Sequence, residues 1–114
     1  MPRAMSFMLT QQQVLDGTKT QTRRLGWVDL QKGEVLNAVR KAMGLKRGEQ
    51  QQSLGLIRVQ RVRRERLDAI TPADVRAEGF PDMTPRAFIE LFCKANKCNA
   101  ERVVTVIDFE RVRD

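Results

Sequence analysis

The sequence predicts a small mixed α+β domain and not an alternating βαβ one. Three observations lead there. The 114 residues amount to one domain. An apolar content of 41% is enough to bury a core without metals or disulfides. The elements read strand, short helix, several strands, two helices, strand. No repeat or internal linker divides the chain, so residues 1–114 are expected to form a single unit.

Taken in order, Ser6 to Leu9 reads as a short strand. Thr10 is a suitable N-cap for a helix over Gln11 to Asp16, which Gly17 can close in the left-handed conformation. Thr18 to Leu25 is Thr-rich without helical period and reads as extended. Gln31 to Glu34 is a turn and Val35 to Val39 the strand after it. Arg40 to Gly55, with Gly44, Gly48 and the polar run from Glu49 to Ser53, reads as a long exposed loop. Leu56 to Leu67 alternates as a strand until Val62 breaks parity, which predicts a bulge near Gln60 or Arg61. Thr71-Pro72-Ala73-Asp74 combines an N-cap, Pro at the first helical position and an acid at the third, opening a helix that runs to about Glu78 and stops at Gly79. Thr84-Pro85 opens a second one, with Phe88, Leu91, Phe92 and Ala95 at the spacing of one buried face. Val103 to Val112 is the closing strand, with Val103, Ile107 and Phe109 on one side and Asp108 and Glu110 on the other.

The formal net charge is +7, which suits a polyanionic partner such as nucleic acid; ordinary solubility is the alternative. The chain has no histidine, which removes Ser-His-Asp and Cys-His nucleophile systems. Its two cysteines, Cys93 and Cys98, fall short of the roughly four ligands of a structural zinc site. No metal or other cofactor is therefore expected, and Cys93 reads as a small buried hydrophobe. No apolar run approaches the roughly 18 residues of a membrane span, so no membrane partner and a cytoplasmic monomer are expected.

Three constellations could carry chemistry. Gly17 to Arg24 packs one Gly, three Thr (Thr18, Thr20, Thr22) and three cations (Lys19, Arg23, Arg24) into eight residues. Flexible backbone, hydroxyls and cations suit a phosphate or carbonyl oxygen; a solvated strand edge is the alternative. Glu78 stands at a helix end, where an acid opposes the helix dipole and calls for a cation from elsewhere, unless it is simply solvated. Arg58, Arg61, Arg63, Arg64 and Arg66 put cations on both faces of one strand, for phosphate contact or for protection of an edge. Trp27 could stack on a base or pack against the core. In the long loop, Arg40, Lys41, Lys46 and Arg47 are candidate nucleic-acid contacts.

The pattern Gly17-x-Lys19-Thr20-x-Thr22-x-Arg24 after a short amphipathic helix resembles the G-x-K-x-x-x-x-R signature of ASCH domains. Lys32 to Leu36 resembles their next turn and strand, Ile70 to Phe80 their acid-bearing helix, and Val104 to Phe109 their closing strand. Arg23 to Trp27 and Glu78 to Pro81 are similar to ASCH proteins of phages and prophages. The resemblance covers nearly the whole chain. It implies a small PUA-like mixed β-barrel with flanking short helices, and a basic cleft that takes RNA, a nucleoside or a nucleotide. One bacterial branch of similar proteins consists of amidohydrolases that deacetylate N-acetylcytidine. Position by position, their catalytic Lys, Thr and Glu fall on Lys19, Thr22 and Glu78, with the motif Arg on Arg24.

That resemblance implies Thr22 as nucleophile, Lys19 as its activator and Glu78 as the group that shuttles a proton to the leaving amine or positions it, with no metal. Gly17, Thr20, Arg23, Arg24 and Trp27 would contact substrate. A base lysine must be partly neutral, which burial and the neighbours Arg23 and Arg24 favour. This chain departs from the branch in its basic loop and in carrying Arg23 where those enzymes have an apolar residue. The competing readings are a non-catalytic RNA-binding module, a ribonuclease, or a phage accessory protein.

Overall fold

The computed structural model describes residues 2–41 and 45–112; Ala42, Met43 and Gly44 of the long basic loop lie outside them. Five strands, β1 (Arg3–Ser6), β2 (Gln21–Arg24), β3 (Val35–Val39), β4 (Ser53–Arg66) and β5 (Val103–Arg111), form one sheet in the order β1-β3-β4-β5-β2. Among the described residues the β1–β3 pair is parallel and the other three pairs are antiparallel. The sheet curls into a half-barrel, the α+β PUA-like architecture expected. Its two edges are joined where Arg24 Nη2 of β2 donates to the Ser6 carbonyl of β1 (2.5 Å). Three short helices, α1 (Gln11–Asp16), α2 (Pro72–Ala77) and α3 (Pro85–Asn96), flank it.

Two hydrophobic clusters meet at β5. Ile107 and Phe109 join Met5, Phe7, Leu36, Ile57 and Val59 on the concave side, closed by Val14 of α1. Val104 and Val106 join Val75 of α2 and Phe88 and Phe92 of α3 on the other side. β5, which lies between β4 and the edge strand β2, buries apolar surface on both faces and is shared by the two clusters. The β4 bulge falls between Val59 and Arg61, as the parity break predicts. Thr71 and Asp74 form a capping box with Pro at the start of α2, and Thr84 caps α3.

Several sequence expectations shift. The first strand lies at Arg3–Ser6, not Ser6 to Leu9: Thr10 N–H bonds back to the Phe7 carbonyl (3.1 Å), so the apolar run turns and leaves Met8 and Leu9 exposed. Thr10 precedes α1, but its side chain caps nothing. β4 begins at Ser53, inside the expected loop, and ends at Arg66, where a 3-10 turn over Leu67–Ala69 takes over. Val103, the first residue of β5, is exposed, although Thr105, Ile107 and Phe109 farther along the same face are buried. On α3, Ala95 is exposed at the rim of a cavity, and Cys93 is only partly buried.

Candidate functional site

A cavity of about 230 Å³ opens between the β1–α1 turn, β2, the end of α2 and α3. Lys19, Thr22, Arg23, Arg24 and Glu78 line its polar side, and Phe80, Phe88, Leu91 and Phe92 supply an apolar wall. The backbone brings these groups together. Gly17 closes α1 at φ 81°, and Lys19 N–H then bonds to the Gln13 carbonyl (3.0 Å). Thr20 N–H bonds to the Ala77 carbonyl (2.8 Å), which ties the entry of β2 to the end of α2. Gly79, at φ 101°, turns the chain away after Glu78; a Cβ there would lie 3.0 Å from Gln13 Cγ and 3.5 Å from Lys19 Cβ.

Glu78 is held from two sides. Lys19 Nζ donates to Glu78 Oε1 (2.8 Å) and to its carbonyl oxygen (2.7 Å), and Arg23 Nη1 donates to Oε2 (3.2 Å). All three side chains are at most 3% exposed, so these ion pairs act in a low dielectric. The cost of placing an acid at a helix end is thus offset by two cations from β2 and the segment before it. Burial pushes the Lys19 ammonium below the ordinary lysine range; Glu78 pulls the other way, and Arg24 and Arg23 add to the drop.

Arg23 belongs to a closed ring that sequence reasoning missed. Its Nη1 also donates to Gln21 Oε1 (2.5 Å), Gln21 Nε2 donates to Asp108 Oδ1 (2.8 Å), and Arg63 Nη1 donates to Asp108 Oδ2 (3.4 Å). Asp74 completes the ring, 4.0 Å from Arg63 Nη2 and 3.4 Å from Arg23 Nη2. The Arg23–Asp74 approach is an ion pair by distance only: Arg23 Nη2 and Nε are buried and make no hydrogen bond among the described residues. Ring members come from β2, β4, β5 and α2, so only the fold brings them together. Asp108, a charged residue inside the apolar run of β5, was the available signal.

Arg24 sits differently. Its Nε donates to Thr22 Oγ1 (3.3 Å), its guanidinium carbon lies 4.8 Å from the Phe7 ring centre, and no carboxylate pairs with it among the described residues. Burial brings it down to about 10, against the pull of Glu78, so it stays charged at neutral pH. Thr22 Oγ1 engages Arg24, and no Lys19–Thr22 hydrogen bond is present among the described residues.

The remaining candidates lie elsewhere. Gly17 and Thr20 are exposed and outside the cavity lining. Trp27 packs against the concave-side cluster, with the Arg3 guanidinium 5.1 Å from its ring centre. The β4 arginines are mostly spoken for: Arg58 pairs with Glu110, Arg63 with Glu65 and Asp108, and Arg66 with Asp68, while Arg64 donates to Thr105 Oγ1. In the basic loop Lys46 and Arg47 are exposed, Arg40 is partly buried, and Lys41 lies 3.7 Å from Glu49; none lines the cavity. Among the described residues no group of three or more His, Cys, Asp or Glu could hold a metal ion, and no helix is long and apolar enough to cross a membrane.

No protein-family model matches the chain, and no curated protein matches it in sequence. Solved structures do. A protein from Enterococcus faecalis V583 assigned to the family DUF984 superimposes with a TM-score of 0.68 at 20% identity, over 98% of this chain and 80% of that one. An ASCH domain from Lactobacillus crispatus JV V101 superimposes with a TM-score of 0.68 at 14% identity, over 96% of this chain and 78% of that one. The chain has the fold of an ASCH domain.

Proposed function

We propose that this chain is an ASCH-domain protein whose cavity takes a nucleoside, a nucleotide or an unpaired nucleotide of an RNA. The supporting observation is the lining itself. Four ionisable groups, Lys19, Arg23, Arg24 and Glu78, face an apolar wall containing three Phe rings. A flat aromatic base with a polar edge has that division of character, and Arg24, without a carboxylate partner among the described residues, suits a carbonyl or phosphate oxygen. The test is binding of short single-stranded RNAs and free nucleosides, by calorimetry, to the wild type and to Phe88→Ala and Lys19→Ala. Loss of affinity in both variants supports the cavity; unchanged affinity in both rejects it.

A second reading, a metal-free amidohydrolase of N-acetylated cytidine, is favoured by one observation: a buried lysine of depressed basicity lines the same cavity as the Thr22 hydroxyl. In this reading a bound substrate displaces Lys19 from Glu78, and the neutral amine takes the Thr22 proton as Thr22 attacks the acyl carbon. Arg24 holds the developing oxyanion, and Glu78 relays the proton held by Lys19 to the leaving amine; water then cleaves the acyl-Thr22 ester, releasing the acid and restoring the hydroxyl. A hydrolysis screen of N-acylated nucleosides, with Lys19→Ala as control, decides it. Absence of turnover for every acylated nucleoside leaves the binding reading alone.

A further inference from the structure

The end of α3 carries a pair of thiols that the cavity chemistry does not use. Lys97 adopts the left-handed conformation (φ 52°), and the N–H of Cys98 bonds to the Cys93 carbonyl (3.2 Å). This is the six-to-one hydrogen bond of a Schellman cap, a motif that presses the side chains of those two positions together. Both positions are cysteine here. Their sulfurs lie 4.0 Å apart, and both residues are partly exposed, within reach of small solutes.

We propose that Cys93 and Cys98 are a modification site: a reversible intramolecular disulfide that locks the last turn of α3 and the Ala95–Asn96 edge of the cavity. A disulfide needs its sulfurs about 2 Å apart, so closure shortens a 4.0 Å contact that already exists. The oxidant is a low-molecular-weight disulfide. One cysteine thiolate attacks it, forming a mixed disulfide and releasing one thiol. The second cysteine, also as thiolate, attacks the protein sulfur of that mixed disulfide and expels the other thiol. The protein loses two protons and two electrons, and the oxidant becomes two thiols. Burial, then the neighbouring Cys98, raises the Cys93 thiol above its ordinary value, so closure is slow at neutral pH and faster as pH rises. Two thiols alone are too few for a structural zinc site; both also pack against the cluster around Phe88 and Phe92, and the chemistry open to them as a pair is redox.

Ala95 and Asn96 lie between the two cysteines in sequence and line the cavity, and Asn96 Nδ2 donates to the Phe92 carbonyl (3.0 Å). A covalent bond across this turn fixes that rim against fraying.

The full chain, purified reduced, is incubated in mixtures of oxidised and reduced glutathione and followed by intact mass and peptide mapping. The expected product is a monomer lacking two hydrogens, with a Cys93–Cys98 link that dithiothreitol reverses. Cys98→Ser should instead accumulate a glutathione adduct on Cys93. Amide exchange over residues 94–98 should slow at least several-fold in the oxidised wild type. If the wild type accumulates the same adduct as Cys98→Ser, forms only intermolecular dimers, or leaves both thiols free where the variant is modified, the disulfide is overturned. If it forms with exchange unchanged over residues 94–98, the locking role is overturned.

Discussion

Lys19 and Glu78 stand 59 positions apart, yet the lysine ammonium meets the glutamate twice, at Oε1 (2.8 Å) and at its backbone carbonyl (2.7 Å). Removing one partner of a buried ion pair costs far more than the pair contributes, because the remaining charge is left without a counterion. Glu78→Ala strands Lys19, leaves Arg23 with Asp74 as its counterion, and should destabilise the fold by about 3–5 kcal/mol. Adding Lys19→Met to Glu78→Ala should recover part of that loss. Denaturant midpoints of the two single variants and the double variant measure the coupling, and strict additivity would refute it.

The depressed basicity of Lys19 has a definite consequence for stability against pH. Its ammonium loses its proton below the ordinary 10.5 in the folded chain, so between the folded value and 10.5 the unfolded chain binds more protons. Stability therefore rises with pH through that window. The stability difference between wild type and Lys19→Met should shift in favour of the wild type as pH climbs toward 10.5, and level off above it. Urea midpoints of both proteins across alkaline pH test the sign.

Asp74 gives a slope of the same sign at the acid end of the scale. Burial alone would raise its carboxyl, but the Thr71 amide and hydroxyl and the Arg23 guanidinium outweigh it and hold the group below the ordinary 3.8. Its contribution is present above 3.8 and is lost as pH falls through the lowered value. Asp74→Asn should cost about 1 kcal/mol at neutral pH, the scale of a lost cap, and the gap should close in strong acid. Thermal unfolding of both proteins from neutral pH downward measures it.

Thr22 separates the two functional readings. Its hydroxyl accepts from Arg24 Nε (3.3 Å) and lines the cavity. If hydrolysis occurs, Thr22→Val abolishes turnover and Thr22→Ser keeps part of it, while nucleoside affinity changes by less than about tenfold, or 1.4 kcal/mol. Single-turnover kinetics on the three proteins would show this, and turnover surviving in Thr22→Val would remove Thr22 as nucleophile.

The basic loop should act through field and not through the cavity. Neutralising Arg40, Lys41, Lys46 and Arg47 should weaken RNA binding and flatten the slope of log affinity against log salt, by about 0.7 for each phosphate that the loop no longer neutralises. Because Glu49 already faces Lys41 at 3.7 Å, Lys41→Gln alone should change the slope least. A slope identical in wild type and quadruple variant would return the loop to a purely solubilising role.

Features set by local chemistry were legible in the sequence. The Thr71–Asp74 capping box, the left-handed Gly17 and the β4 bulge each follow from residues a few positions apart. The acid at Glu78 asked for distant cations, and Lys19 and Arg23 answer it. The ring through Arg23, Gln21, Asp108, Arg63 and Asp74 was not legible, because its members are joined only by strand register and by α2 packing beside β2. Alternation put Val103 on the face of Ile107 and Phe109, but it could not show that the first residue of the strand lies outside the core.

β2 carries Thr22, Arg23 and Arg24, and it pairs with β5. During synthesis the ribosome releases Gln21–Arg24 early, but the strand they must lie against, Val103–Arg111, emerges after the other elements of the fold. Until then Arg23 and Lys19 have no enclosed place to sit, and both hydrophobic clusters lack the strand they share. The site is written in the first elements of this fold and can be assembled only once the strand Val103–Arg111 is made, so the growing chain holds three clustered cations in solvent until then.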